Sequence, residues 1–158
     1  KYLNGYLLDS KNIIVKNFKK PLFNLPNINC GCISSDDGNL LLNIEDKAKL
    51  IKDHPNSEKF LKPYVGASDF IRGTKRWCLW IKDNDLAEAT SIKFIKDRFE
   101  KVKNYRLNKE DYKWADKPHR FVEDRHQEKD AIFIPTPTTA KRKYLPIGFY
   151  LQTLSWNN

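Results

Sequence analysis

The chain has 158 residues, enough for one domain with a sizeable core, and its 40% hydrophobic and 31% charged content excludes a wholly disordered polymer. Its longest apolar run is Trp77–Ile81, far short of the roughly 18 residues a membrane span needs, and Lys1–Ser10 lacks the apolar stretch and cleavage site of a secretory signal. Lys and Arg outnumber Asp and Glu by 29 to 20, a net charge of +9.

In chain order, Leu3–Leu8 and Asn12–Val15 read as short strands around the turn Asp9-Ser10-Lys11, and Asn29–Ile33 as a third. Ser34–Gly38 is a turn cluster, followed by a buried strand at Leu40–Leu42. Asn43 is placed to cap a helix with Glu45 and Asp46 in its first turn, where carboxylates suit the dipole. Ile44, Ala48 and Ile51 form its expected apolar face, and His54-Pro55 ends it. A short helix from Asn56-Ser57 through Leu61 follows, then a turn bracketed by Gly66 and Gly73.

Arg76–Ile81 is the clearest strand, with Trp77, Leu79 and Ile81 on one side and Arg76, Cys78 and Trp80 on the other. Aromatics on both sides predict that both faces are covered. Asp83–Asp85 leads into one long helix over about residues 86–107, with Ala89, Ile92, Ile95, Phe99 and Val102 facing the core. Lys93, Lys96, Lys101, Lys103 and Arg106 fall largely off that stripe. Ala131–Ile134 and Tyr144–Leu151 close the list as strands. Without regular strand–helix alternation, the expected class is α+β: a small mixed or antiparallel sheet packed by the long helix and shorter ones. Residues 1–158 read as a single domain, and a chain that opens on Lys1 and holds no methionine reads as a piece of a longer one.

Cys30, Cys32 and Cys78 form no disulfide framework, and a C-x-C with His54, His119 and His126 elsewhere lacks zinc-ligand spacing. Such cysteine usage fits a reducing cytoplasm. There is no dinucleotide fingerprint, P-loop, nucleophile elbow or zinc-protease helix. Glu45-Asp46-Lys47 spells the E-x-K of metal-dependent nucleases, but it falls in the first turn of a predicted helix, where capping explains the acids better.

The charge is uneven. Residues 1–71 hold 10 basic and 8 acidic side chains, residues 72–143 hold 19 and 12, and residues 144–158 hold none. A basic half suggests a polyanion partner, against the plain reading of a lysine-rich soluble protein. If Arg120–Gln127 is extended, Glu123, Arg125 and Gln127 project from one side. Arg, Glu and Gln are side chains that read base edges; the competing reading is a Glu123–Arg125 surface ion pair. Thr138, Thr139, Lys141 and Arg142 form a loop of the kind that contacts phosphates, unless it is merely solvated.

Six motifs in order then carry a resemblance. They are Tyr6-Leu7-Leu8-Asp9 with Asn12–Val15; Asp37-Gly38-Asn39-Leu40-Leu41-Leu42; Phe60-Leu61-Lys62-Pro63-Tyr64-Val65-Gly66-Ala67; Lys75–Trp80; Pro118-His119-Arg120-Phe121 with Glu123 and Arg125; and Tyr144 with Pro146-Ile147-Gly148-Phe149. Over nearly its whole length the chain resembles the target-recognition domain of MmeI-type single-chain DNA methyltransferases, departing from that pattern at Gly5 and Asp37. The resemblance implies a double-stranded-DNA recognition module, not a catalyst. It implies no cofactor in this chain and S-adenosylmethionine in an upstream methyltransferase domain acting on adenine N6. With it, Glu123, Arg125 and Gln127 are expected to read bases, and Arg120, Thr138, Thr139, Lys141 and Arg142 to touch the DNA backbone. A nuclease fragment and an RNA- or protein-interaction module remain the alternatives.

Overall fold

The computed structural model describes residues 3–5, 7–11, 23–24, 28–109, 112–126, 130–136 and 141–150. Its centre is a three-stranded antiparallel sheet in the order β1-β3-β2, with β1 at Leu41–Leu42, β2 at Leu61–Tyr64 and β3 at Arg76–Leu79. Leu41 pairs with Cys78 and Lys62 pairs with the same residue from the other side, so β3 is buried between two neighbours. Mixed helices and small antiparallel sheets confirm the α+β class.

One face of this sheet meets the helices. Leu40, Leu42, Leu50, Phe60, Leu79 and Ile81 pack with Ala89, Ile92, Ile95, Phe99 and Val102 into one buried cluster. All five predicted stripe residues of the long helix are in it. The helix itself is divided: α3 runs Leu86–Ser91 and α4 runs Lys93–Leu107, with Ile92 extended between them (φ −83°, ψ 111°). The hydroxyls of Thr90 and Ser91 donate to the carbonyls of Leu86 and Glu88. Such bonds compete with the helical ladder, and a β-branched residue follows them. Ile92 stays buried, so the apolar stripe survives the break.

Helix α1 (Ile44–Asp53) is capped as expected, Asn43 accepting from the Asp46 amide at 2.7 Å. Its buried face differs from the predicted one. Ile44 and Ala48 are exposed, and Leu50 is the fully buried residue. Lys47 occupies the inward position, its ammonium 4.3 Å from the centre of the Trp77 ring. A lysine stem with a cation on an indole serves where periodicity looked for an apolar side chain. Asp46, one of the nuclease-like acids, is paired with Arg98 at 2.6 Å. Arg98 also donates to the Asn39 and Leu41 carbonyls, tying α1, β1 and α4 together.

Pro55–Phe60 is a 3-10 helix, and β2 begins at Leu61, one residue inside the short helix expected there. Helix α2 (Ala67–Arg72) occupies the segment read as a turn, and Gly73 supplies its left-handed cap at φ 68°. Asp69 is buried, accepting from the Gly66 amide and from both Nε and Nη2 of Arg76. Two further strands, β4 (Ala131–Phe133) and β5 (Gly148–Tyr150), form a separate antiparallel ribbon. Phe70 of α2 reaches it, its ring 5.1 Å from that of Phe133.

The first predicted strand is instead a tight loop. Leu3 and Asp9 make one bridge, Asn4 accepts from the Leu8 amide, and Leu7 is left-handed at φ 60°. The buried Asn4 side chain caps this loop, replacing a ladder. Asn12–Val15 lies outside the described residues. Of Asn29–Ile33, Ile33 alone pairs with another of the described residues, Glu123.

Candidate nucleic-acid interface

The second face of the sheet carries the predicted site. Trp80, just past β3, points away from the helical core on the same side as Cys78. The Phe121 ring lies 5.3 Å from it and the His126 ring 5.4 Å, while the Lys62 ammonium stands 5.1 Å over it. Phe121 is buried and acts as the anchor of the following residues. Cys78 beneath is also buried, and burial pushes its thiol up to about 12, so it is neutral packing material.

Residues 122–126 leave this anchor as an irregular segment, not as the extended run on which a shared side for Glu123, Arg125 and Gln127 was conditional. Only Glu123 joins a ladder: its amide donates to the Ile33 carbonyl at 3.1 Å, and the Ile33 amide donates back at 3.0 Å. The Arg125 amide donates to Cys32 Sγ at 3.3 Å. Phe121 and His126 both touch Trp80, which strict alternation forbids; the Asp124 carboxylate accepts from the His126 amide and turns the chain there. Glu123 and Arg125 are joined by an ion pair, each side chain 39% exposed, which is the contact the competing reading of these two residues called for.

The foundation of this segment is a residue that sequence reasoning placed off the core. Arg106 of α4 is 0% exposed. Its Nε donates to the Ser35 carbonyl, Nη1 to those of Trp114 and Lys117, and Nη2 to those of Ser34 and Arg120, at 2.7–3.1 Å. All five guanidinium protons are thus used. The signal was present: Arg106 continues the 95–99–102 stripe at the next step of four, where a charged residue must be buried and multiply bonded.

Arg120 is half-exposed and faces Asp83, Nε donating to Oδ1 at 2.8 Å and Nη2 to Oδ2. His119, buried, meets the same carboxylate through Nε2 at 2.7 Å. Asp83 opens the 3-10 turn Asp83–Asp85 that leads into α3, and its carboxylate also fastens the 119–120 turn beside a cleft of about 310 Å³ that Trp80, Trp114 and Phe121 line. The bonds from Arg120 and His119 hold its carboxyl at about 2. A depressed carboxylate stabilises the fold above its ordinary value near 4, and the contribution is lost as pH falls through about 2. The Asp83 side-chain carbon resonance is therefore expected to titrate near pH 2 in the folded protein; a midpoint near 4 would show the clamp to be absent.

Among the other predicted contacts, Lys141 and Arg142 are exposed in the connection between β4 and β5, as are Lys93, Lys96, Lys101 and Lys103 on α4. Gln127, Thr138 and Thr139 lie outside the described residues. No helix among the described residues is long and apolar enough to cross a membrane.

Three comparisons with known proteins bear on the chain as a whole. Residues 9–158 match the family described as MmeI, target recognition domain. DNA methyltransferase A of Bacillus subtilis (strain 168) is 30% identical over 149 residues, covering 92% of this chain and 17% of its own. Among solved structures, the Type IIL restriction-modification enzyme MmeI in complex with DNA matches with a TM-score of 0.79 and 32% identity, over 96% of this chain and 21% of that one. The chain thus spans about a fifth of the length of these relatives.

Proposed function

The chain belongs to the MmeI target recognition domain family, and from that premise we propose that it reads a duplex DNA sequence through the surface bearing Glu123 and Arg125. The pair itself carries this reading: a guanidinium and a carboxylate, side by side and each 39% exposed, on a backbone bonded at Glu123 and Arg125. Arginine donates to guanine O6 and N7, and a carboxylate accepts from cytosine N4, so one G·C pair offers partners to both. The ion pair between them does not oppose this role, because exposed pairs are worth at most about 1 kcal/mol and open readily.

Gln127 is a third reader on this proposal. Arg120, Thr138, Thr139, Lys141 and Arg142 contact the DNA backbone, with Arg120 the weakest of these because Asp83 already occupies its fork. The basic stretch 72–143 supplies the sequence-independent attraction. In the longer protein, a methyltransferase domain upstream, using S-adenosylmethionine, flips out and methylates an adenine at N6, alone or joined to an endonuclease. A nuclease within this chain is not favoured, since the acids that suggested one serve α1 and Arg98.

The test is an exchange of the two readers, Glu123→Arg with Arg125→Glu, which retains the ion pair. Wild type and variant are each used to enrich duplexes from a random pool at low salt. The variant is expected to favour the inverted base pair at one position, by about tenfold or more, and to leave the others unchanged. An identical enriched sequence, or no enrichment by the wild type, sinks the reading.

A further inference from the structure

We infer that Arg106, buried beneath the interface, is a positioning residue that sets sequence selectivity by fixing where Glu123 and Arg125 stand. This rests on the reading of that pair proposed above. The reason is a closed circuit of hydrogen bonds. Arg106 holds the Ser35 carbonyl with Nε and the Ser34 and Arg120 carbonyls together with Nη2. Ile33, next to Ser34, exchanges two bonds with Glu123. From Glu123 the chain returns to Arg120 through Phe121 and Val122, and Phe121 is pinned against Trp80. Two residues along, the Arg125 amide is held by Cys32, the residue before Ile33. Both segments that define the readers' height above the sheet therefore end on one guanidinium.

Arg106 has no exposed surface from which to touch a duplex. Its effect must pass through the two readers, whose contacts with a base edge tolerate displacement of only about half an ångström. A lysine in its place has three donors on a single nitrogen and cannot span carbonyls arranged around a planar fork. The loop would keep its anchor at Trp80 and lose its register.

The experiment compares Arg106→Lys with Leu50→Ala, a core truncation in α1 remote from the interface, in the same enrichment from random duplexes. Temperature and denaturant are adjusted so that both variants are folded to the same extent. For Arg106→Lys, discrimination is expected to fall about tenfold at the position that the Glu123/Arg125 exchange alters, with the other positions unchanged. Leu50→Ala should keep the wild-type profile. An unchanged profile for Arg106→Lys, or the same loss in both variants, overturns the inference. Should Arg106→Lys fail to fold, Cys32→Ala opens the circuit at Arg125 and leaves Arg106 in place. Relaxation at the same position then supports the inference, and a sharp profile overturns it. The two claims separate cleanly: an exchange variant with no altered position defeats the reader assignment, whereas an altered exchange variant beside an unaltered Arg106→Lys defeats only the positioning role.

Discussion

Replacing Arg106 with methionine is expected to destabilise the chain by about 3–5 kcal/mol, the range seen when one side of a buried charged network is removed. Methionine fills the space of the stem, so little of the loss is a cavity. What is lost is the set of guanidinium bonds to the carbonyls of Ser34, Ser35, Trp114, Lys117 and Arg120, of which Trp114 and Lys117 keep a backbone donor, the amides of Lys117 and Arg120. Those oxygens face a position with no solvent access, and a buried acceptor left alone costs about 1–3 kcal/mol. The five are not additive, because the loops can move apart and admit water, which caps the total. A domain of ordinary stability holds about 5–15 kcal/mol, so the loss is a large share of it. At this chain length it corresponds to a fall in melting temperature of roughly 10–15 °C. Calorimetry or denaturant unfolding checks it. A loss under about 1 kcal/mol would mean that the carbonyls find other donors and that the guanidinium is replaceable.

Gly148→Val is expected to cost about 2–3 kcal/mol, at the upper end of overpacking. A Cβ on Gly148 would lie 2.3 Å from Cε2 and 2.6 Å from Cζ of Phe70. The ring tip could swing away from an exposed position, but here it is held against Phe133, the residue paired with Gly148 across the ribbon. The added carbons must therefore push β5 from α2 or turn Phe70 out of its contact with Phe133. Either outcome separates the β4–β5 ribbon from the body of the domain. Gly148→Ala should show a smaller loss of the same kind, and trimming the ring with Phe70→Leu should recover much of the stability of Gly148→Val. A variant as stable as the wild type, with Phe70 unmoved, contradicts the close approach.

The same position shows how a motif becomes physical. In the sequence, Gly148 was one letter of a pattern; the reason for glycine there is a ring delivered by α2, some 78 residues earlier by the numbering. No window of local sequence contains both partners.

What the sequence by itself determined is whatever depends on short-range periodicity and local chemistry. The inward residues at 89, 92, 95, 99 and 102, the Asn43 cap and the β3 strand with two covered faces all follow from spacing within a few residues. Six ordered motifs also sufficed to place the chain in its family. Tertiary structure decided the rest. The helix breaks at Ile92 because hydroxyl-to-carbonyl bonds compete with its ladder, a balance that propensity alone leaves open. Lys47 of α1 turns inward because Trp77 of β3 offers its ring. The Asp83 carboxylate, at the start of the turn before α3, is taken up by His119 and Arg120, which arrive from far along the chain. Arg106 can be buried only because two distant loops bring their carbonyls to it. In the last three cases the deciding free energy lies in a contact between residues remote in sequence, and such contacts exist only once the chain has folded.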